Sequence, residues 1–186
     1  MTDGPAWILK HGKRAAHITR LIRRPARRIA PAIFIYTRIK YTSRHMNDWW
    51  TAPAEAPDGQ IVMVTGRRDI AKYRNNPRFS IRVTVAWRYA PAGMPSDADA
   101  ETMGVATDGF TEVLAKDPVA VLTGIYTGAG ERTWVFYTLS TNIFNKKLNE
   151  ALAPLPLLPL EISAENDPRW EEYDEMCECE ITTTDD

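Results

Sequence analysis

A strict alternation of apolar and polar residues over positions 79–89 constrains the fold of this chain more than any other feature. A period of two places every second side chain on the same face of a β-strand, whereas a helix would scatter the same residues around its surface. The chain must therefore build a sheet with one buried and one partly polar face. The alternating sets are Phe79, Ile81, Val83, Val85, Trp87 and Tyr89 against Ser80, Arg82, Thr84, Ala86 and Arg88.

The segments after this strand predict further helices and strands. Ser96 is a favourable N-cap, and Asp97 and Asp99 in the first turn suit the helix dipole, so a helix is expected to run to Asp117, before Pro118. Two β-branched and aromatic runs follow, joined by a glycine-rich turn. A second helix capped by Thr141 or Asn142 and a last strand complete the pattern. The two runs are 119–127 and 132–139, and the last strand covers 158–163. The helix between them stops before Pro154 and has the apolar stripe Phe144, Leu148, Ala151 and Leu152.

The resulting order of elements predicts an α+β fold. A short β-rich run at 60–65 precedes a β-α-β-β-α-β order, which is that of the ferredoxin-like or split βαβ sandwich. We expect an extra N-terminal strand or hairpin, and two helices on one face of an antiparallel sheet. Pro159 indicates that the last strand lies at an edge of the sheet.

The charges divide the chain into an arm and a domain. Residues 1–45 contain eleven of the 23 basic residues and one of the 24 acidic residues. The rest of the chain therefore contains 12 basic and 23 acidic residues. The arm therefore carries +10 and the remainder −11. Such asymmetry usually separates a tail from a domain. We divide the chain into a basic arm (1–45), a single α+β domain (46–176) and an acidic C-terminal tail (177–186).

Three interpretations of the arm remain open. Arg23, Arg24, Arg27 and Arg28 are suited to neutralising the phosphates of a nucleic acid or an anionic lipid surface. An organelle transit peptide is also arginine-rich and poor in acids. We favour the third interpretation, in which translation begins at Met46 and the arm is disordered or foreign to the native protein.

The residue types needed for common active sites are missing from the domain. The three histidines lie in the arm, at His11, His17 and His45, so the domain has no imidazole for acid–base work. Cys177 and Cys179 are too few for a zinc site or a disulfide framework. We expect no catalytic residue, cofactor or metal, no membrane span, and a cytoplasmic location. Three glycines are interpreted as turn and close-packing residues: Gly124, Gly128 and Gly130.

Aromatic and acidic residues offer a possible interaction surface. Aromatics on ferredoxin-like sheets can stack RNA bases, but the charge of −11 opposes phosphate binding. The alternatives are that the rings lie in the core, and that the acidic run is the solvated face of a helix. The candidate surface consists of Trp134, Phe136, Trp170, Tyr173, Glu171 and Glu172.

Four segments together resemble a bacterial family called domain of unknown function 695. They are Asp48-Trp49-Trp50, the strand at 79–85, the aromatic run at 134–137 and the closing Asp-Pro-x-Trp-x-x-Tyr at 167–173. The resemblance covers residues 47–176 and implies a small cytoplasmic α/β domain with no catalytic residues to carry over. Some members are joined to a domain similar to the bacterial regulator of ribonuclease activity, for which this chain has no room after Tyr173.

These observations favour a non-enzymatic interaction or regulatory module, with a second protein or a second copy of the chain as its partner. The alternative is an enzyme that uses carboxylates. A further alternative is nucleic-acid or anionic-surface binding through the arm, although nucleic acid does not suit the domain itself. The candidate carboxylates are Glu161, Glu165, Asp167 and Glu171.

Overall fold

The computed structural model describes residues 24–25 and 48–181, in which one antiparallel sheet is combined with four helices. Six strands are long and one has two residues. The remaining arm residues and positions 182–186 lie outside the described residues, so the predictions made for them stay predictions. The elements are β1 (Arg24–Pro25), β2 (Trp49–Glu55), β3 (Ile61–Arg67), α1 (Ala71–Arg74), β4 (Ile81–Arg88), α2 (Asp97–Lys116), β5 (Ala120–Gly128), β6 (Glu131–Thr138), α3 (Thr141–Leu152), β7 (Leu160–Asn166) and α4 (Glu171–Ile181).

The sheet has the strand order β1-β2-β3-β5-β6-β4-β7, with all neighbours antiparallel. The strand over 79–89 and the hairpin of β5 and β6 are confirmed. The last strand lies at an edge, as Pro159 predicted. β2 and β3 form the extra N-terminal hairpin and extend the sheet beyond β5, so the order of the whole sheet differs from that of a simple ferredoxin fold.

α2 and α3 cover one face of the sheet, as the sequence predicted. Their apolar stripes pack on the odd-numbered residues of β4 and on Trp134 and Phe136 of β6. The ring of Phe110 on α2 contacts Trp134 and Phe136 edge-on, with centroids 5.7 and 5.4 Å away. Where the two helices cross, a Cβ on Gly109 would lie 2.7 Å from the carbonyl oxygen of Ala151, so their backbones touch.

The opposite face of the sheet is covered by α4, with α1 beside it. This is a correction, because helices were expected on one face only, and Trp170 and Tyr173 were expected to belong to an interaction surface. Those rings are 2% and 7% exposed and pack on β2, β3, β5 and β6. A Cβ on Gly124 would lie 2.1 Å from the Sδ atom of Met176 on α4, which confirms that glycine as a close-packing residue.

The helix ends match the sequence in part. The Ser96 hydroxyl accepts a hydrogen bond from the Asp99 amide at 3.2 Å, as expected of an N-cap. The N-cap of α3 is Ser140, one residue before the predicted Thr141. Helix α4 continues to Ile181, so residues 177–181 are helical and the folded part extends beyond the predicted boundary at 176.

Candidate functional site

Asp167 organises the start of α4. Its Oδ1 atom accepts a hydrogen bond from the Glu171 amide at 2.9 Å, and its Oδ2 atom accepts one from the Glu172 amide at 3.3 Å. A carboxylate at this place satisfies amides that have no partner within the helix and suits the helix dipole. The Tyr137 hydroxyl donates to the same Oδ2 atom at 2.5 Å, so Asp167 links α4 to strand β6.

Trp170 fixes the angle at which the chain enters α4. Its φ of 60° lies in the left-handed region, which costs a tryptophan about 1 kcal/mol or more. Its indole stacks on the ring of Tyr137, with 3.8 Å between centroids, and Nε1 donates to the Phe79 carbonyl oxygen at 2.9 Å. These contacts hold the strained residue in place.

A buried ion-pair cluster lies next to this junction. The guanidinium of Arg82 donates to Glu172 Oε2 at 2.7 Å and to Glu165 Oε2 at 2.6 Å. The Tyr126 hydroxyl donates to the other carboxylate oxygen of Glu172 at 3.0 Å. Arg82 and Glu172 are 8% and 4% exposed, so the loss of either partner would leave a charge with little access to water.

Two tyrosines of the site are held in the neutral state. Burial raises the pKa of Tyr126 well above its ordinary value, and the charge of Glu172 raises it further. Burial, followed by the hydrogen bond to Asp167, likewise raises the pKa of Tyr137. Both hydroxyls therefore act as hydrogen-bond donors throughout the physiological pH range.

The structure divides the six predicted interaction residues between the two faces of the sheet. Trp134 and Phe136 are fully buried under α2 and α3, where Trp134 Nε1 donates to Thr107 Oγ1 at 2.8 Å. Trp170, Glu172 and Tyr173 are buried under or within α4. Only Glu171 is exposed, so a partner that binds this folded state touches only that residue of the predicted set.

The four candidate carboxylates do not converge on one point. Glu165 is bonded to Arg82, and Asp167 is bonded to Tyr137 and to helix amides. The side chains of Glu161 and Glu171 are 69% and 57% exposed. Burial raises the pKa values of the Cys177 and Cys179 thiols, and no three potential metal ligands come together within the described ranges.

The edge of the sheet at β7 presents unused backbone groups. The Asp167 amide donates to the Ser80 carbonyl oxygen at 2.7 Å, in register with the β4–β7 ladder, so odd-numbered residues of β7 point their backbone groups at β4. The even-numbered residues point away from the sheet. Their amides at Ile162, Ala164 and Asn166 have no acceptor in the part of the chain that the structure describes.

The side chains of β7 differ between its two faces. Leu160, Ile162 and Ala164 pack at the margin of the apolar core under α2 and α3. Glu161, Ser163 and Glu165 are on the other face. Next to the strand, the side chain of Leu157 is 74% exposed. The β7 edge, defined as Leu157 together with Leu160–Asn166, therefore has an apolar and an acidic side.

The edge of the sheet at β2 is blunted. The Arg68 amide donates to the Asp48 carbonyl oxygen at 2.6 Å, so odd-numbered residues of β2 point away from β3. Among these, Pro53 has no N–H group, the Trp49 carbonyl oxygen accepts from the Arg68 guanidinium at 3.0 Å, and Glu55 is opposite Arg24 of β1. These are devices that protect an edge strand from pairing.

The ion-pair cluster, and the covering of the second sheet face by α4, were not predicted from the sequence. One signal was present, because Trp170, Tyr173 and Met176 recur every three residues and form an apolar stripe on a helix. No pattern in the sequence identifies Arg82 as the partner of Glu172, which is 90 residues away.

Comparisons with known proteins agree with the resemblance noted from the sequence. The model of a family of unknown function, DUF695, matches residues 47–176, which is well over half of the chain. A search of the curated proteins and a search of the solved structures give no significant match. None of the helices between residues 48 and 181 is long and apolar enough to span a bilayer. The chain belongs to the DUF695 family of unknown function.

Proposed function

We propose that the domain is a non-enzymatic protein-interaction module that binds an extended basic segment of a partner along the β7 edge. The observation that carries this proposal is the row of unused amides at Ile162, Ala164 and Asn166. Extended peptides commonly add to exposed sheet edges, where backbone hydrogen bonds supply affinity and alternate side chains supply specificity.

The charge of the β7 edge defines the partner's chemistry. Glu161 and Glu165 share one face of the strand, and Ile162 and Ala164 share the other. Glu165 is already bonded to Arg82, so Glu161, whose side chain is 69% exposed and lies 3.6 Å from Arg88, is the acid that a partner meets. Residues directly opposite each other across a β-ladder lie on the same face of the sheet. The complementary segment therefore alternates basic with apolar residues.

The alternative of a carboxylate enzyme has less support. Acid–base catalysis needs carboxylates that meet a substrate, whereas Glu165 and Asp167 are occupied by Arg82 and Tyr137. The sheet faces, suggested from the sequence as binding surfaces, are covered by α2 and α3 on one side and largely by α4 on the other. The sheet edge is the better candidate.

We further propose that the segment from β4 to β7 is a ferredoxin-like unit in a cytoplasmic protein. Within the sheet, its strands have the order β5-β6-β4-β7, in which each βαβ crossover spans one inserted strand. Cys177 and Cys179 are thiols and not a disulfide in the folded part, which supports a reducing compartment.

The proposal can be tested with two synthetic peptides and the full chain. One peptide alternates lysine with valine, and its matched control alternates glutamate with valine. We expect the basic peptide to bind at about 50 mM salt and more weakly at about 500 mM, because exposed charges are screened. Fluorescence anisotropy measures the binding. Equal binding of both peptides, or binding of neither even to the full chain with Arg38→Glu/Lys40→Glu, in which the chain's own basic segment no longer competes, contradicts the proposal.

A proline variant tests whether the β7 edge is the surface. The Ala164 amide points away from β4, so Ala164→Pro removes an edge donor and leaves the β4–β7 ladder intact. Ala164→Val retains the amide and is the matched control. We expect the basic peptide to bind the valine variant and not the proline variant, with circular dichroism confirming that both are folded. Undiminished binding to the folded proline variant places the surface elsewhere.

A further inference from the structure

We propose that the β7 edge receives residues 37–41 from the arm of a second copy, so that two molecules exchange arms. This gives the arm a function, in place of the interpretation from the sequence that translation begins at Met46. This inference rests on the proposed function, because it names the occupant of the same edge. The overall charges are complementary, with +10 in residues 1–45 and −11 in the rest of the chain.

The sequence of residues 37–41 has the pattern that the β7 edge requires. Arg38 and Lys40 alternate with Ile39 and Tyr41. In an extended conformation the two cations share one face two residues apart, so one of them can lie opposite Glu161 while the other lies opposite Ser163. Ile39 and Tyr41 then lie on the side of Ile162 and Ala164. Backbone pairing, charge and apolar contact are satisfied together.

The arginine-rich cluster earlier in the arm does not fit the edge. Arg23-Arg24 and Arg27-Arg28 are adjacent pairs, and neighbouring residues of a strand point to opposite faces. Each pair would place one cation against the apolar side of β7. Pro25 also lacks the amide that a ladder requires.

A second copy of β7 is a poor occupant. The antiparallel register that overlaps all of Leu160–Asn166 with itself places Glu161 opposite Glu165 twice. Like charges directly opposite each other destabilise a sheet. Pairing of β7 with a second β7 is therefore disfavoured, and pairing with a basic segment is favoured.

The connection to the domain is too short for a molecule to bind its own segment. Seven residues lead from Tyr41 to Asp48, at the start of β2, and reach about 24 Å when fully extended. β2 and β7 are five inter-strand steps apart. The straight-line distance between them through the sheet is therefore also about 24 Å. A path around the molecule is longer, so the segment reaches β7 only on another copy.

The experiment measures the mass of the full chain by sedimentation equilibrium. We expect wild type at about 50 mM salt to have twice the chain mass of 21.0 kDa, and the double variant Arg38→Glu/Lys40→Glu to have the single mass. The matched control Arg27→Glu/Arg28→Glu carries the same charge change in the same arm and should remain double. Circular dichroism checks that each variant is folded.

Each outcome decides the inference. Adding Glu161→Lys to the Arg38→Glu/Lys40→Glu variant should restore twice the chain mass, because a lysine on β7 then faces a glutamate of the partner's arm. A single mass for wild type, or dissociation of both arm variants to the same extent, overturns the inference. If wild type has the single mass and still binds the basic peptide, the proposed function stands and the arm exchange fails. A double mass that persists in folded Ala164→Pro also overturns the exchange.

Discussion

The four carboxylates at positions 171, 172, 174 and 175 follow one another closely in sequence but have different surroundings. Glu172 is buried against Arg82 and Tyr126, whereas its neighbour Glu171 is exposed. From the sequence, these acidic residues are expected to form a single solvated helix face, which is the usual arrangement. Which member turns inward depends on where Trp170 and Asp167 set the start of α4, and that geometry is tertiary.

Replacement of Glu172 by glutamine should destabilise the domain strongly. Glutamine removes the negative charge that Arg82 faces inside the protein, and breaking one side of a buried ion pair costs about 3–5 kcal/mol. Urea unfolding measures the free energy of unfolding. Glu171→Gln is the matched control and should change it by less than about 0.5 kcal/mol. Equal effects of the two variants would show that the ion pair does not hold α4.

At the scale of elements, the close packing of α4 on the sheet depends on Gly124, which has no side chain. A Cβ on Gly124 would meet Met176 Sδ at 2.1 Å and the Thr65 carbonyl oxygen at 2.9 Å. The methionine side chain can move, but the backbone of β3 cannot do so without disturbing the sheet. The contact between α4 and the sheet is therefore close enough that one methyl group disrupts it.

Gly124→Ala should lower the free energy of unfolding by about 1–3 kcal/mol, as overpacking of a core does. Combining it with Met176→Ala should relieve part of that loss, giving a coupling energy above about 0.5 kcal/mol in urea unfolding. Gly104→Ala is the control, because nothing lies within 4 Å of its added Cβ on α2. It should stabilise by up to about 1 kcal/mol. Additive effects at Gly124 and Met176 would contradict the close contact.

Two glutamates on different helices should give opposite pH dependences. Burial, and next the charges of Glu172 and Glu178, raise the pKa of Glu175, so its ionisation disfavours the folded state as the pH rises above its ordinary value. The hydrogen bond from Lys116 lowers the pKa of Glu112, so its ionisation favours the folded state. At pH 7, Glu175→Gln should raise Tm and Glu112→Gln should lower it.

Thermal unfolding between pH 7 and pH 3 measures this difference. Both variants should converge on wild type at acid pH, where wild-type glutamates are protonated in both states. A shift of the same sign for both variants at pH 7 would mean that the surroundings of the two carboxylates do not differ as described.

At the scale of the whole molecule, two apolar clusters share one sheet. Trp87 and Trp134 lie in the cluster under α2 and α3, and Trp50 and Trp170 lie in the cluster under α4. Because β5 and β6 contribute to both, neither cluster can be lost without the other. Urea transitions followed by tryptophan fluorescence and by far-UV circular dichroism should therefore coincide in wild type and in Trp170→Phe. Earlier loss of the fluorescence signal in wild type alone would indicate that α4 separates first.

Local patterns predicted most of the elements but fewer of the contacts. The alternation over 79–89, the cap at Ser96 and Pro159 before the last strand each concern neighbouring residues, and each prediction is confirmed. The cover that α4 places over the second face requires contacts between positions as far apart as Arg82 and Glu172. The β7 edge is a property of the backbone and of strand order, so no side-chain pattern could reveal its unused amides.

The difference between the blunted β2 edge and the open β7 edge limits how large any assembly of this protein can become. A sheet with two open edges can be extended from both sides, and repeated addition produces fibres. Here another strand can add at the β7 edge only, so the sheet cannot be extended again once that edge is paired. Raising the protein concentration should drive the population towards one species of fixed size, and the solution should stay clear where an evenly open sheet would become turbid.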